Sequence, residues 1–435
     1  MITLWNVQSH YFLLVTWCCI FLVITSVLFR RPYQDAFKST PLMNAPMANC
    51  PFVSYFRAYT NIFTGFSILA VDFTIYPPYF YKSRVYGTAL MDSGLGFYII
   101  SNAIVSAEAR GIETTKSAKA ALKKATKDTV PLICLGVARY FLLTSLDYHV
   151  PIQEYGVHWN FFFTLAVVKM GSTILFSFTP TYMWKCLGPL VIMLHQSLLL
   201  TEKYRHFVLF GYHGDAARTG GFIEANREGI VASVGFLAIY FVGVQLGSLL
   251  MKKRETIGDW SLILLVLTVV CSVCWIMLEV TGELVQKPSR KFANLSYMFF
   301  VIGVTSLLIV EGLAFDILIT YVKHLTYTSS VTSDKVNRSE DRTCSLLQGI
   351  NYNGLLFFAV ANLMTGLVNL SIDSKSKSKM DAFVIVTLYM IILSALFLYM
   401  YRQRISFKAF LWRKNRKQSI SVENQDSLGS LQLRR

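Results

Sequence analysis

Apolar runs close to twenty residues long recur along this chain from residue 12 to residue 401, separated by short charged connections. A hydrocarbon slab about 30 Å thick takes about twenty helical residues to cross. The pattern predicts an all-α polytopic integral membrane protein with about eleven transmembrane helices. Their expected ranges are 12–28, 57–76, 86–106, 130–148, 158–177, 180–200, 229–250, 260–280, 295–321, 353–372 and 381–401. Hydrophobic residues make up 54% of the chain, above the roughly 45–50% of soluble domains. No polar stretch exceeds a few dozen residues, which excludes a large soluble catalytic domain. Any chemistry must take place in or beside the bilayer.

The net charge is +16, and most Lys and Arg residues sit between the runs, where they set topology and do not imply nucleic acid. With the C-terminus cytosolic, the cytosolic connections carry roughly a two-to-one excess of Lys and Arg. The start has no basic region before its apolar run, and Arg30 and Arg31 follow it. This argues against a cleaved signal peptide and for an N-terminus outside the cytosol. Residues 1–406 are expected to form one multi-pass domain, and 407–435 a basic, then Ser- and Gln-rich, disordered cytosolic tail. The eight cysteines are scattered, so neither a disulfide framework nor a metal site is expected. Cys271 and Cys274 read as helix packing.

The stretch Gly65 to Ser93, GFSILAVDFTIYPPYFYKSRVYGTALMDS, places Asp72 inside an apolar run that Pro77 and Pro78 should end. That puts the carboxylate about a turn and a half below the helix end, buried in membrane. A carboxylate at such depth costs about 3 kcal/mol, so it calls for a charged partner, a wet cavity or a proton-handling role. Lys82 and Arg84 follow the prolines, so a loop folding back could bring an ammonium over it. A helix-end ion pair that fixes loop geometry is the alternative. Asp92 then enters the next run.

On the assigned topology, other unusual polar residues share the non-cytosolic face: Glu154 and His158, the NRE triplet at Asn226 to Glu228, the SRKFAN entry at Ser289 to Asn294, and Thr365 and Asn369. A pocket built from several helix ends is where a substrate site would sit. EYGVHWNFFFT, Glu154 to Thr164, puts His158, Trp159 and Asn160 at the interface, with His158 either an acid or base or part of a belt that sets helix depth. In ANREGI, Asn226 suits an N-cap and Arg227 a phosphate partner, or the triplet simply caps a helix. Ala107 to Asp128 reads as a cytosolic interfacial helix, and the sequon at Asn337 falls on a cytosolic loop.

Taken together, VDFTIYP, YGTALMDSGLGFYIISNAIVS, EYGVHWNFFFT, NREGI, SRKFANL and NGLLFFAVANLMTGLVN closely resemble the inositol acyltransferase family of glycosylphosphatidylinositol (GPI) anchor biosynthesis. The motifs keep the family's order from about Arg57 to Tyr401. The resemblance implies an endoplasmic reticulum membrane protein that transfers a fatty acyl group, typically palmitoyl, from acyl-CoA to an inositol hydroxyl of glucosaminyl-phosphatidylinositol. It also implies a lumenal reaction. The family's catalytic Asp and Lys fall on Asp72 and Lys82. His158, Asn160, Asn226, Arg227 and Asp92 are the candidate substrate contacts, with a structural role also open for Asp92. Acyl-CoA would be a co-substrate, and no further cofactor is expected. Family members are expected to have about thirteen spans, roughly two more at the start, which leaves the orientation unchanged.

Asp72 would accept the hydroxyl proton as the new ester bond forms, and Lys82 would orient the carboxylate or stabilise the oxyanion. Two rival classes remain from the residues alone. One is a proton-coupled lipid or solute transporter using Asp72, Asp92, Arg139 and Asp147. The other is a non-catalytic scaffold of the same pathway.

Overall fold

The structure is a computed structural model and describes residues 51–112, 117–145, 152, 154–212, 218, 221–329 and 344–407. Among these residues every regular element is helical. In chain order they are α1 (Phe52–Ala70), α2 (Leu90–Ala103), α3 (Ala118–Ser145), α4 (Phe161–Phe178), α5 (Trp184–Leu200), α6 (Glu202–Phe210) and α7 (Phe222–Ala225). There follow α8 (Arg227–Leu250), α9 (Ile257–Leu284), α10 (Leu295–Ser329), α11 (Ser345–Tyr352), α12 (Gly354–Ser371) and α13 (Lys379–Arg402). The chain divides into two compact units. The first comprises Met1–Phe56 and Tyr79–Ser339, and the second Arg57–Pro78 and Glu340–Arg435.

In the first unit α8 is the central helix, packed by α2, α4, α5, α6 and α10. Its sequence is apolar nearly all the way round, which suits a helix buried on every side. Close approach depends on small residues. A Cβ on Gly243 would lie 2.7 Å from the Ala103 side chain, and one on Gly247 would lie 2.4 Å from the Ile104 carbonyl oxygen. This four-residue spacing lets the two backbones touch without the help of a hydrophobic effect that lipid cannot supply. Helices α9 and α10 form an antiparallel pair joined by a tight 285–294 segment, and α3 pairs with α4. The start of α9 is capped by Thr256, whose hydroxyl accepts from Asp259 N at 3.2 Å.

The second unit gathers residues 57–70 of α1 with α11, α12 and α13. The Tyr389 hydroxyl on α13 is shared between Gly65 O on α1 (3.0 Å) and Ala361 O on α12 (3.2 Å). Phe357 and Phe397 pack edge to face at 5.0 Å. Asn353, between α11 and α12, binds the chain leaving α13 by donating to Ile405 O and accepting from Phe407 N, both at 2.9 Å. The Ile405 carbonyl and the Phe407 N–H, just beyond α13, therefore find a partner inside the unit.

Ten of the expected spans coincide with a helix or part of one, and the expected span at 12–28 lies outside the described residues. Seven helical segments among the described residues are long and apolar enough to cross a membrane: 161–178, 181–200, 227–250, 257–284, 295–322, 354–371 and 379–402. The count of about eleven is thus not reproduced. The three shortfalls have separate causes. Helix α1 begins at Phe52 and carries Arg57, Thr60 and Asn61 in its first half. Helix α2 has only 14 residues, against the 86–106 expected, and ends in turns. Helix α3 fuses the second half of the expected interfacial segment, from Ala118, with the expected span into one 28-residue helix whose first third is Lys-rich. The sequon at Asn337 and the tail beyond Phe407 lie outside the described residues.

Candidate functional site

Asp72 belongs to the second unit. Helix α1 stops at Ala70, well before the prolines, and the chain continues in three-residue turns with Asp72 N bonded to Leu69 O and Phe73 N to Ala70 O, both at 3.1 Å. Val71, Asp72, Thr74 and Ile75 explain the early stop, since β-branched residues and Asp favour other conformations over helix. Asp72 is therefore half-buried just past a helix end, which corrects the expectation of a carboxylate sunk a turn and a half below it. Its Oδ2 accepts the side-chain amide of Asn369, near the end of α12, at 2.7 Å, and Asn369 Oδ1 accepts the Ser374 hydroxyl at 2.9 Å. Burial raises the proton affinity of Asp72, while the Asn369 hydrogen bond and the Lys375 charge pull it back. The negative end of the α1 dipole adds to the upward pressure. The result is a carboxylate fixed by one oxygen and more basic than an ordinary aspartate.

Lys82 lies in the first unit, on the 79–89 connection ahead of α2. Its Nζ is 2.6 Å from Glu154 Oε1, and Glu154 Oε1 also lies 3.5 Å from Arg290 Nη1. Arg290 Nε in turn reaches Asp92 Oδ1 at 3.1 Å. Charges thus alternate along Lys82, Glu154, Arg290 and Asp92. Burial alone would raise the Glu154 pKa, but Lys82 and Arg290, with Arg139 farther off, hold it down to about 2. Arg290 also lies over the Tyr155 ring, 5.9 Å from its centre. Its guanidinium is held more firmly charged than usual because Glu154, Tyr155 and Asp92 outweigh its burial.

Asp92 is fully buried, and its carboxylate accepts Ser83 N (3.1 Å to Oδ2) and Ala89 N (3.1 Å) besides Arg290. It closes the two ends of the loop that follows Lys82 onto the first turn of α2. That loop is fastened again to the 285–294 segment: Gly87 N donates to Pro288 O at 2.9 Å, Gln286 Nε2 donates to the Tyr86 hydroxyl at 3.2 Å, and the Ser289 hydroxyl donates to Val85 O. Asp92 therefore holds the loop in place, with no lone pair evidently spare for a ligand.

His158, Asn160, Asn226 and Arg227 meet where α4, α7 and α8 begin. Asn226 occupies the N-cap position of α8, but its side chain does not cap that helix. Its Oδ1 accepts His158 N (2.8 Å) and Trp159 N (2.9 Å), and its Nδ2 donates to Phe222 O (2.9 Å). Asn160 is the cap that works: its Oδ1 accepts Phe162 N at 3.0 Å and Phe163 N at 3.4 Å, and its Nδ2 donates to Gly136 O on α3 at 2.9 Å. Arg227 spends its donors on the carbonyls of Val208 (3.2 Å), Glu224 (3.1 Å) and Leu209 (3.5 Å). The buried Glu228 beside it takes a two-pronged contact from Arg218 at 2.7 and 2.8 Å, with Lys291 Nζ 3.6 Å away. Burial lowers the proton affinity of Lys291, and Glu228 partly restores it.

His158 stacks on Phe222 (6.2 Å) and tilts against Tyr140 (5.4 Å) at one end of an apolar cavity of about 470 Å³ between α3 and α4. Among the described residues no three His, Cys, Asp or Glu side chains are placed to hold a metal ion.

The structure therefore joins Lys82 to Asp92 through Glu154 and Arg290, and His158 to Asn226, within one unit. Asp72 has Asn369 and the charge of Lys375 as partners in the other, with Ser374 bonded to Asn369 behind it. Glu154, Arg290, Glu228 and Asn369 were visible in the sequence as polar residues at span ends on one face, but nothing local showed whom each would bind.

The whole of this framework lies within a segment that matches known proteins. The GWT1 family model matches residues 1–400. The chain is 33% identical over 379 residues to the glucosaminyl-phosphatidylinositol-acyltransferase PIGW of Bos taurus, covering 83% of this chain and 75% of that protein. It is 33% identical to the protein of the same name from Homo sapiens, covering 78% and 71%. It is 31% identical to the GPI-anchored wall transfer protein 1 of Schizosaccharomyces pombe, covering 78% and 70%. On the extent of the family match and the identity shared with these relatives, the chain belongs to the GWT1 family.

Proposed function

We propose that this protein is an acyltransferase of the endoplasmic reticulum membrane that moves a fatty acyl group, typically palmitoyl, from acyl-CoA to an inositol hydroxyl of glucosaminyl-phosphatidylinositol during GPI-anchor synthesis. The names of its relatives support the acyl acceptor and the reaction class. Acyl-CoA as donor and the lumenal placement of the N-terminus and reaction follow from the family resemblance and the charge distribution between spans.

The observation that carries the catalytic reading is the Asp72 carboxylate, held by Asn369 at 2.7 Å and made more basic by burial. An inositol hydroxyl is too weakly acidic to attack a thioester unaided. Asp72 is the general base: it takes the hydroxyl proton as the oxygen bonds to the acyl carbonyl carbon. The carbonyl electrons move onto oxygen, then return as the C–S bond breaks and the CoA thiolate leaves, taking the proton from Asp72 to depart as the free thiol. Because Asn369 fixes Oδ2, the carboxylate is oriented before substrate arrives. Lys82 is the cationic partner of the reaction, its ammonium positioned by Glu154. His158, Asn160, Asn226 and Arg227 support substrate mainly by holding the entry to α4 and α8 in shape.

The test is the purified full chain in detergent with radiolabelled palmitoyl-CoA and a glucosaminyl-phosphatidylinositol acceptor. Covalent acylation of the inositol ring is expected. Accumulation of unmodified lipid or solute across a sealed vesicle, with no product in detergent, would favour a transporter.

A further inference from the structure

The lysines at the start of α3 have no part in the chemistry just described. Because α3 is one helix from Ala118 to Ser145, the side on which Lys119 and Lys123 stand can be followed along it. Eighteen residues make five full turns. Val137 therefore lies in line with Lys119, and Phe141 with Lys123, and these two apolar side chains are 40% and 62% exposed. Val130, on the same side, is exposed as well, whereas Ala125 and Thr129, on the packing side, are buried. A helix side that meets hydrocarbon thus continues into one that carries ammonium groups.

The depth of those groups follows from α4. Asn160 Nδ2 donates to Gly136 O at 2.9 Å, and Thr129 and Met170 face one cavity farther along, so the two helices run antiparallel. Counting away from that hydrogen bond at an equal rise puts Lys123 level with about Thr173 and Lys119 with about Ser177. Both lysines thus stand beside the last turns of α4, where Ile174 and Phe178 are exposed, and not in the connection beyond them. Lysine stems at such a depth lie along apolar surface and lift the charge into the headgroup layer.

Within the protein these charges go unanswered. Lys119 and Lys123 are exposed, and among the described residues their side chains have no ion-pair or hydrogen-bond partner. Helix α4 contains no acidic residue, and Asp128, two and a half turns from Lys119, lies on the opposite side of α3. The cations of the 251–256 turn differ. Lys253 pairs with Glu255 at 3.0 Å, and Arg254 donates to Lys252 O at 3.1 Å and Leu249 O at 2.8 Å.

We infer that the outward side of the start of α3 binds the headgroup of an anionic phospholipid, its phosphate shared by Lys119 and Lys123, with Lys124 beside them. At four-residue spacing the two side chains begin about 5–6 Å apart, close enough to grip one phosphodiester. The charge distribution assigns this end to the cytosolic face, whose leaflet carries the anionic lipids. The site is independent of the acyl-transfer chemistry.

The purified full chain in detergent, titrated with dioleoyl phosphatidylserine or dioleoyl phosphatidylcholine, tests it, with bound lipids counted by native mass spectrometry. Phosphatidylserine is expected to bind more tightly. At about fivefold per lysine, Lys119→Gln with Lys123→Gln should weaken phosphatidylserine by about 25-fold and leave phosphatidylcholine unchanged. Lys119→Arg with Lys123→Arg keeps the charges and should bind as the wild type does, as should Lys252→Gln with Lys253→Gln. A preference that survives the first pair, falls equally in the Lys252 and Lys253 pair, or is lost in the Arg pair would overturn the site. ATP has the charge without the tails, and its displacing phosphatidylserine at comparable concentration would assign the lysines to a soluble anion and overturn the lipid reading.

Discussion

Asn369 donates its side-chain amide to one oxygen of Asp72 at 2.7 Å, so a residue near the end of α12 tempers the basicity that burial gives a carboxylate almost three hundred positions earlier in the chain. Because the bond favours the charged form, its loss must make Asp72 a stronger base that is also harder to keep ionised.

Asp72→Asn is expected to lower turnover by about 10²–10⁴-fold, the usual share of a general base, while the protein still accumulates in membranes. In the wild type the rate should fall as acid protonates Asp72, at a pH above the ordinary aspartate range because burial raises its pKa. Asn369→Ala should move that acid limb to still higher pH. A pH–rate profile of the purified enzyme measures both.

Glu154→Gln leaves Lys82 and Arg290 without their shared carboxylate. The Glu154 pKa is held at about 2 against an ordinary value of 4.5. A depressed folded-state pKa contributes stability that is complete above the unfolded value and is lost as pH falls through the folded one. The wild-type unfolding midpoint in detergent should therefore decline between about pH 4.5 and 2, and Glu154→Gln should flatten that decline while lowering stability at neutral pH.

Asp92→Ala takes from the buried Arg290 guanidinium one of its two carboxylate partners, leaving Glu154, and frees two backbone N–H groups. Removing one partner of a buried pair costs about 3–5 kcal/mol, enough to deplete folded protein. Lys82→Ala, by contrast, removes a side chain that is 39% exposed and should leave folding intact while turnover falls. Size-exclusion profiles of the two variants, read beside their activities, separate the loop's anchor from its reactive end.

Arg227→Lys should destabilise by about 1–3 kcal/mol, because an ammonium cannot reach all three carbonyls that the guanidinium satisfies. The expected readout is a lower thermal midpoint, with the Michaelis constant for donor little changed. A selective rise in that constant would point to direct contact with phosphate.

The apolar runs made most of the fold legible, because a stretch that must satisfy its own backbone in lipid has few alternatives to helix. From α4 onward span ends fall within four residues of expectation, except that α10 runs eight residues past the expected end at 321, to Ser329. The exceptions are local conflicts. Proline at 77 is a strong stop, but Val71 to Ile75 had already ended α1, and a Lys-rich segment merged into α3 because Lys and Ala are good helix formers. The site was legible as a set of polar residues on one face and not as a network. Lys82 to Glu154 and Arg290 to Asp92 join residues far apart in sequence, and periodicity carries no information about such pairs. The Asn226 side chain shows the same gap: its type suited a helix cap, and tertiary packing turned it onto the backbone of His158 and Trp159.

Helix α2, at 14 residues, measures about 21 Å, some 9 Å less than the oily layer of an average bilayer. It is therefore no crossing helix by length but an internal strut, with ten of its fourteen residues buried, and through Asp92 it fixes the loop that bears Lys82.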